Sequence, residues 1–96
     1  MNTLRQYYVY FLTNKGNKVI YIGITNDLEK RIGEHKEGKY DNSFTKKYGC
    51  NKLVYFESYQ WVQQAIDREK RLKGGSRQVK VDLINQDNPE WNELNL

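Results

Sequence analysis

At 96 residues and 38% apolar composition the chain is about one ordinary domain long, with apolar residues for a modest core and none to spare for a second. Charged residues make up 29%, and seven glycines with one proline are few, which excludes the disordered and collagen-like classes. The net charge of +4 is uneven: residues 67 to 80 hold six basic against two acidic side chains, and residues 81 to 96 hold four acidic and no basic ones. The basic stretch suits a polyanionic partner; a solvated, lysine-rich helix face is the alternative.

The aromatic and β-branched runs Tyr7 to Leu12 and Val19 to Ile24 are separated by the polar Asn14 to Asn17, which predicts a β-hairpin. With those residues as the turn, Thr13 faces Lys18, Tyr10 lies across from Tyr21, and Gly23 faces Tyr8 and leaves a space beside the phenols. A tyrosine-rich core with an incidental glycine is the alternative. Asn26, with Glu29 three residues on, reads as a capping box for a helix from about Asp27 to Glu37, ended by Gly38. On it Leu28, Ile32 and His35 share a stripe, with Arg31 at the edge, so an imidazole and a guanidinium project together. An ordinary core histidine and a snorkelling arginine are the alternatives.

Residues 39 to 51 are polar, with a short helix predicted around Ser43 to Tyr48, and Leu53 to Phe56 reads as a third strand. A longer helix follows from about Trp61 to Lys73 and stops at Gly74-Gly75. Ser76 caps another from about Arg77 to Asn85, before Asn88-Pro89 breaks the chain. On the longer helix Trp61, Val62, Ala65, Ile66 and Leu72 form an apolar arc with Glu69 near its middle. A carboxylate there needs a partner, either a salt bridge to Arg31 or a metal ion. The order predicts a single α+β domain over residues 1–96, a small, mainly antiparallel three-stranded sheet flanked by helices.

Cys50 is the one cysteine, so neither an internal disulfide nor a zinc site of paired cysteines is available. The start lacks the features of a signal peptide, and no run approaches the roughly 20 apolar residues of a membrane span. A cytoplasmic protein without a membrane partner is expected.

Tyr8-Val9-Tyr10, ten residues, then Tyr21-Ile22-Gly23 resembles the GIY-YIG nuclease signature. The likeness runs from about Tyr7 to Leu94 and takes in Tyr21 to Leu28, Arg31 to His35, Arg68 to Lys73 and Asn88 to Trp91. It is nearest to small stand-alone bacterial members, related to the catalytic domain of the excision-repair nuclease C subunit. One residue departs from the pattern: the first glycine of the signature is Tyr8 here, which bears on sheet geometry more than on chemistry.

The resemblance implies a metal-dependent endonuclease that hydrolyses phosphodiester bonds in DNA with low sequence specificity, in repair or recombination. It implies catalytic roles for Tyr10, Tyr21, Arg31, His35 and Glu69, with Glu69 holding one Mg2+ or Mn2+. Arg31 would clamp the phosphate. A phenol, with an ordinary pKa of about 10, needs nearby positive charge to act as base, and the choice between Tyr10 and Tyr21 stays open. Lys70, Arg71, Lys73 and Arg77 would track phosphates without reading sequence, so nicked, flapped or branched substrates and a protein partner supplying specificity are expected. The rival is a non-catalytic nucleic-acid-binding module, which has no need of the Glu69 carboxylate.

Overall fold

The computed structural model describes residues 6–38 and 44–96. Strands β1 (Tyr7–Thr13) and β2 (Ile20–Thr25) come first, then helices α1 (Leu28–Lys36) and α2 (Phe44–Tyr48), strand β3 (Lys52–Tyr59), and helices α3 (Val62–Gly74) and α4 (Arg77–Asp87). The expected α+β order holds; Ser43, the expected start of the short helix, lies outside the described residues. The strands pair antiparallel in the order β2-β1-β3, so β1 is central and β2 is an edge. β3 runs to Tyr59 because Glu57 and Ser58 continue the ladder opposite Val9 and Tyr8.

Strand alternation divides the apolar residues between two faces. On one, Tyr10, Leu12 and Leu53 pack with Leu28 and Ile32 of α1 and with Cys50. On the other, Val9, Phe11, Ile22, Val54 and Tyr55 pack with Ala65 and Leu72 of α3 and Ile84 of α4. Val54 and Tyr55, though adjacent, serve the same face, because a register shift between Phe11 and Leu12 lets β3 bulge there. Each fully buried large side chain contributes about 1.5–3 kcal/mol, so the sheet is held from both sides.

The hairpin register differs from the expected one. Tyr10 pairs with Gly23 and Leu12 with Tyr21, and the ladder closes at Thr13 opposite Ile20. The connection is thus six residues long, because the Asn14 side chain accepts from the backbone N–H of Lys18 (2.8 Å) and Val19 (3.1 Å) and holds both out of the ladder. Asn17, at φ 59°, takes the left-handed conformation inside it. A two-residue slip keeps every side chain on its face, so Tyr10 and Tyr21 remain neighbours.

The cap of α1 is Asp27 rather than Asn26: its side chain accepts from the Lys30 N–H at 3.2 Å, while the Thr25 hydroxyl accepts from the Asp27 N–H at 3.0 Å. Ser76 caps α4 as expected, accepting from Val79. The apolar arc of α3 is narrower than expected: Ala65 and Leu72 are buried, but Trp61 and Val62 are exposed in the helix's first turn. Past α4 the buried Asn88 donates to the carbonyls of Val54 and Asn92 and accepts from the Asn92 N–H, tying the chain end to β3. Lys36 of α1 ion-pairs with Glu93. Among the described residues no helix is long and apolar enough to cross a membrane.

Candidate active site

The hairpin and α1 bring three predicted side chains into one cluster. The Tyr10 ring lies 6.2 Å from that of Tyr21 and 5.9 Å from that of His35, and Tyr21 stands edge-on to His35 at 5.7 Å. The Tyr10 hydroxyl is 3.1 Å from His35 Nε2, and His35 Nδ1 is 3.1 Å from the hydroxyl of the buried Thr45 in α2. Two hydroxyls thus fix the imidazole plane, the tautomer deciding which donates.

Gly23 makes this arrangement possible. A Cβ on it would stand 2.4 Å from Cζ and from the hydroxyl oxygen of Tyr10. The space expected beside the phenols is therefore filled by Tyr10 itself, lying flat over its cross-strand glycine.

His35 is held below the ordinary imidazole pKa, first by burial and then by the positive charge of Arg31, with Glu34 opposing. At neutral pH it is therefore neutral and able to accept a proton. Arg31 sits one turn before it, ion-paired with Glu34 at 3.4 Å and lining a polar cavity of about 240 Å³ with Thr25, Asn26, Asp27 and Lys30.

Glu69 stands apart from these by element, since α3 covers the other face of the sheet. Its part-buried carboxylate pairs with Lys73 at 3.5 Å, not with Arg31. Lys73 in turn lines a cavity of about 310 Å³ with Ile20, Tyr21 and Ile22 of β2, Phe44 of α2 and Lys80 of α4. Three consecutive residues of an edge strand line it, so the cavity wraps the sheet edge and joins the two faces. Tyr21 lines this cavity and is only part-buried, whereas Tyr10 is 0% exposed.

The basic residues separate in kind. Lys70 and Arg71 are exposed on α3. Arg77 spends its guanidinium on the hairpin loop, donating to the carbonyls of Lys18 (3.0 Å) and Asn17 (3.1 Å). Among the described residues no group of three or more His, Cys, Asp or Glu side chains clusters as a metal site.

A family model for the GIY-YIG catalytic domain matches residues 6–82. The chain belongs to the GIY-YIG family. Its fold is accordingly of the nuclease type. It is 41% identical over 83 residues to a UPF0213 protein of Syntrophus aciditrophicus, covering 86% of this chain and 93% of that one. It is 42% identical over 77 residues to a UPF0213 protein of Clostridium perfringens, covering 80% and 81%. The solution NMR structure of a UPF0213 protein from Bacillus halodurans superposes with a TM-score of 0.58 at 28% identity, covering 92% of each chain. In this GIY-YIG chain the Tyr8 departure leaves the ladder intact: Tyr8 pairs with Thr25 on one side and Ser58 on the other, its ring edge-on to Phe56 at 6.1 Å.

Sequence reasoning missed Thr45, Phe44, Lys80 and Glu57. Nothing in the polar stretch before Cys50 marks Thr45 as the second support of a histidine ten positions away. Glu57 had a signal, the same-face alternation Tyr55, Glu57, Tyr59. Its carboxylate accepts from both phenols and from Nε and a terminal nitrogen of Arg68, each at 2.9 Å. Burial works against its ionisation, but those donors outweigh it and hold its pKa below the carboxylate range. The fork anchors α3 to β3 and so fixes the position of Glu69, the next residue along.

Proposed function

We propose that the protein is a divalent-metal-dependent endonuclease that hydrolyses phosphodiester bonds in DNA with little sequence preference. The observation that carries this reading is the place of Tyr21, whose ring packs with Tyr10 and His35 and which lines one cavity at the β2 edge with Lys73, the ion-pair partner of Glu69. A buried aromatic core has no need of a neutral, doubly supported imidazole packed behind a phenol that lines a cavity with two lysines.

The donor set fits a hard cation. Glu69 offers one carboxylate, held in a long ion pair with Lys73 at 3.5 Å, and no second acidic or imidazole ligand clusters with it among the described residues. An ion held there keeps most of its shell as water, as Mg2+ does and Mn2+ tolerates. When bound, it supplies positive charge to the leaving 3′ oxygen and the non-bridging oxygens. Tyr21 is the phenol on the cavity wall and receives the proton of the attacking water. The neutral His35 imidazole, hydrogen-bonded to Tyr10 and packed edge-on against Tyr21 at 5.7 Å, is the base near it that would hold the proton the Tyr21 phenol gives up. Arg31 exchanges Glu34 for the phosphate, to which its fork of donors is matched. Lys70 and Arg71 contact flanking phosphates without reading bases, and such indifference to sequence suits a role in repair or recombination.

The test is nicking of supercoiled plasmid by wild type and Glu69→Gln, with magnesium or with excess chelator. Cleavage by wild type with magnesium alone is expected, and none by Glu69→Gln at unchanged melting temperature. Full activity in chelator would sink the metal assignment, and binding without cleavage under every condition would make the chain a binding module.

A further inference from the structure

The cavity at the β2 edge has features that phosphate chemistry alone does not require. Its floor is apolar, made by Ile20 and Ile22, and one wall is the ring of Phe44, which stacks on Tyr21 at 6.1 Å and 29° yet stays 48% exposed. Tyr48, also exposed, supports Phe44 from one turn along at 4.7 Å. Lys73 and Lys80 line the same cavity, the Lys80 ammonium steadied on the Gly75 carbonyl at 3.4 Å and the Lys73 ammonium 3.5 Å from the Glu69 carboxylate. Leucine at position 44 would keep an apolar contact with Tyr21 but offer no π face. An exposed aromatic ring lining an apolar slot together with two lysines matches one flat π system carrying an anionic group. At about 310 Å³ the cavity lies at the small end of ligand sites and has room for one nucleotide.

We propose that this slot takes a single unpaired nucleotide next to the scissile phosphate, its base stacked on Phe44 and its phosphate on Lys73 and Lys80. The proposal rests on the nuclease reading and narrows its substrate to nucleic acid with at least one unstacked base at the cut, such as a flap, a gap or a single strand. A base held in a relaxed, intact duplex is already stacked and cannot enter, whereas supercoiled plasmid opens locally and supplies unpaired bases. Every base has a π face, so the slot selects for strandedness without selecting sequence.

The experiment is equilibrium binding in chelator, where cleavage cannot intervene, using single-stranded 12-mers with 2-aminopurine at successive positions and a matched duplex. Wild type should quench 2-aminopurine at one or two adjacent positions and bind the single strand more tightly than the duplex. Phe44→Ala should lose that quenching and weaken single-strand binding by about 5- to 150-fold while leaving duplex binding alone. Phe44→Trp should restore both, and Phe44→Leu, which keeps the apolar anchor for α2, should behave like Phe44→Ala. Quenching at no position, Phe44→Leu binding like wild type, or an equal loss for single strand and duplex would each overturn the proposal. Parallel cleavage assays with magnesium keep the two readings separate. Strand-selective binding without cleavage removes the nuclease and leaves the base slot; cleavage indifferent to Phe44 removes only the slot.

Discussion

On one face of the sheet the Tyr10 hydroxyl meets an imidazole held neutral; on the other, the Tyr55 and Tyr59 hydroxyls meet an ionised carboxylate already gripped by Arg68. Both clusters are tyrosine-based and part-buried, but their electrostatics run in opposite directions. Burial and the bond to Glu57 push the Tyr55 hydroxyl far up, so no proton moves there near neutral pH. His35, by contrast, is lowered by burial and by Arg31 and can take one up. A polar cluster whose charges are matched among its own members stabilises the fold; one that is left neutral beside a cavity is suited to proton transfer.

Three experiments sharpen that contrast. The largest effect is expected for Arg31→Ala, which on the proposed function removes charge stabilisation of the phosphoryl group. Single-turnover cleavage at saturating protein should fall by about 100- to 1,000-fold with DNA affinity nearly unchanged. A fall in affinity that accounts for the whole loss, with cleavage restored at saturation, would make Arg31 a binding residue.

Glu57→Gln should act on stability instead, because it leaves Arg68 facing a neutral amide. With both side chains part-buried, a loss of about 2–3 kcal/mol in urea unfolding at pH 7 is expected, with nucleotide binding retained. Glu57 has a depressed folded pKa, so its contribution is complete above the ordinary carboxylate range and is lost as pH falls below about 4. The stability of the variant should be flatter across that interval, and equal stabilities at pH 7 would remove the structural role.

The smallest effect is the titration of His35, followed by NMR. Its midpoint should lie below the ordinary value of about 6.5 and rise part of the way back in Arg31→Ala, since burial is the larger cause. The sign is opposite to that of an imidazole stabilised by a carboxylate. The unfolded chain binds this proton more readily, so His35 costs stability as pH falls from about 6.5 through its folded midpoint. A midpoint at or above the ordinary value would remove the neutral-imidazole argument.

Much of the fold was legible along the chain, because hydrophobic periodicity, Ser76, Gly38 and Gly74-Gly75 are local signals and helices and strands are local structures. That Tyr10 and Tyr21 share one face was legible too, since a two-residue slip leaves strand alternation intact. The register itself was not: Asn14 capturing two N–H groups is a loop event that no strand pattern records. Nor was the use of Asp27 rather than Asn26 as a cap, since both are good capping residues and the choice was made by the Thr25 hydroxyl accepting from the Asp27 N–H. Family resemblance singled out Glu69 with Arg31 and His35, but only the tertiary structure puts α3 and α1 on opposite faces of the sheet and brings Lys73 of α3 to the β2 edge beside Tyr21. Sequence fixes which face of its own helix a residue occupies; which helix reaches an exposed strand edge depends on how the layers pack, and Thr45, Phe44 and Lys80 join the site by that packing alone.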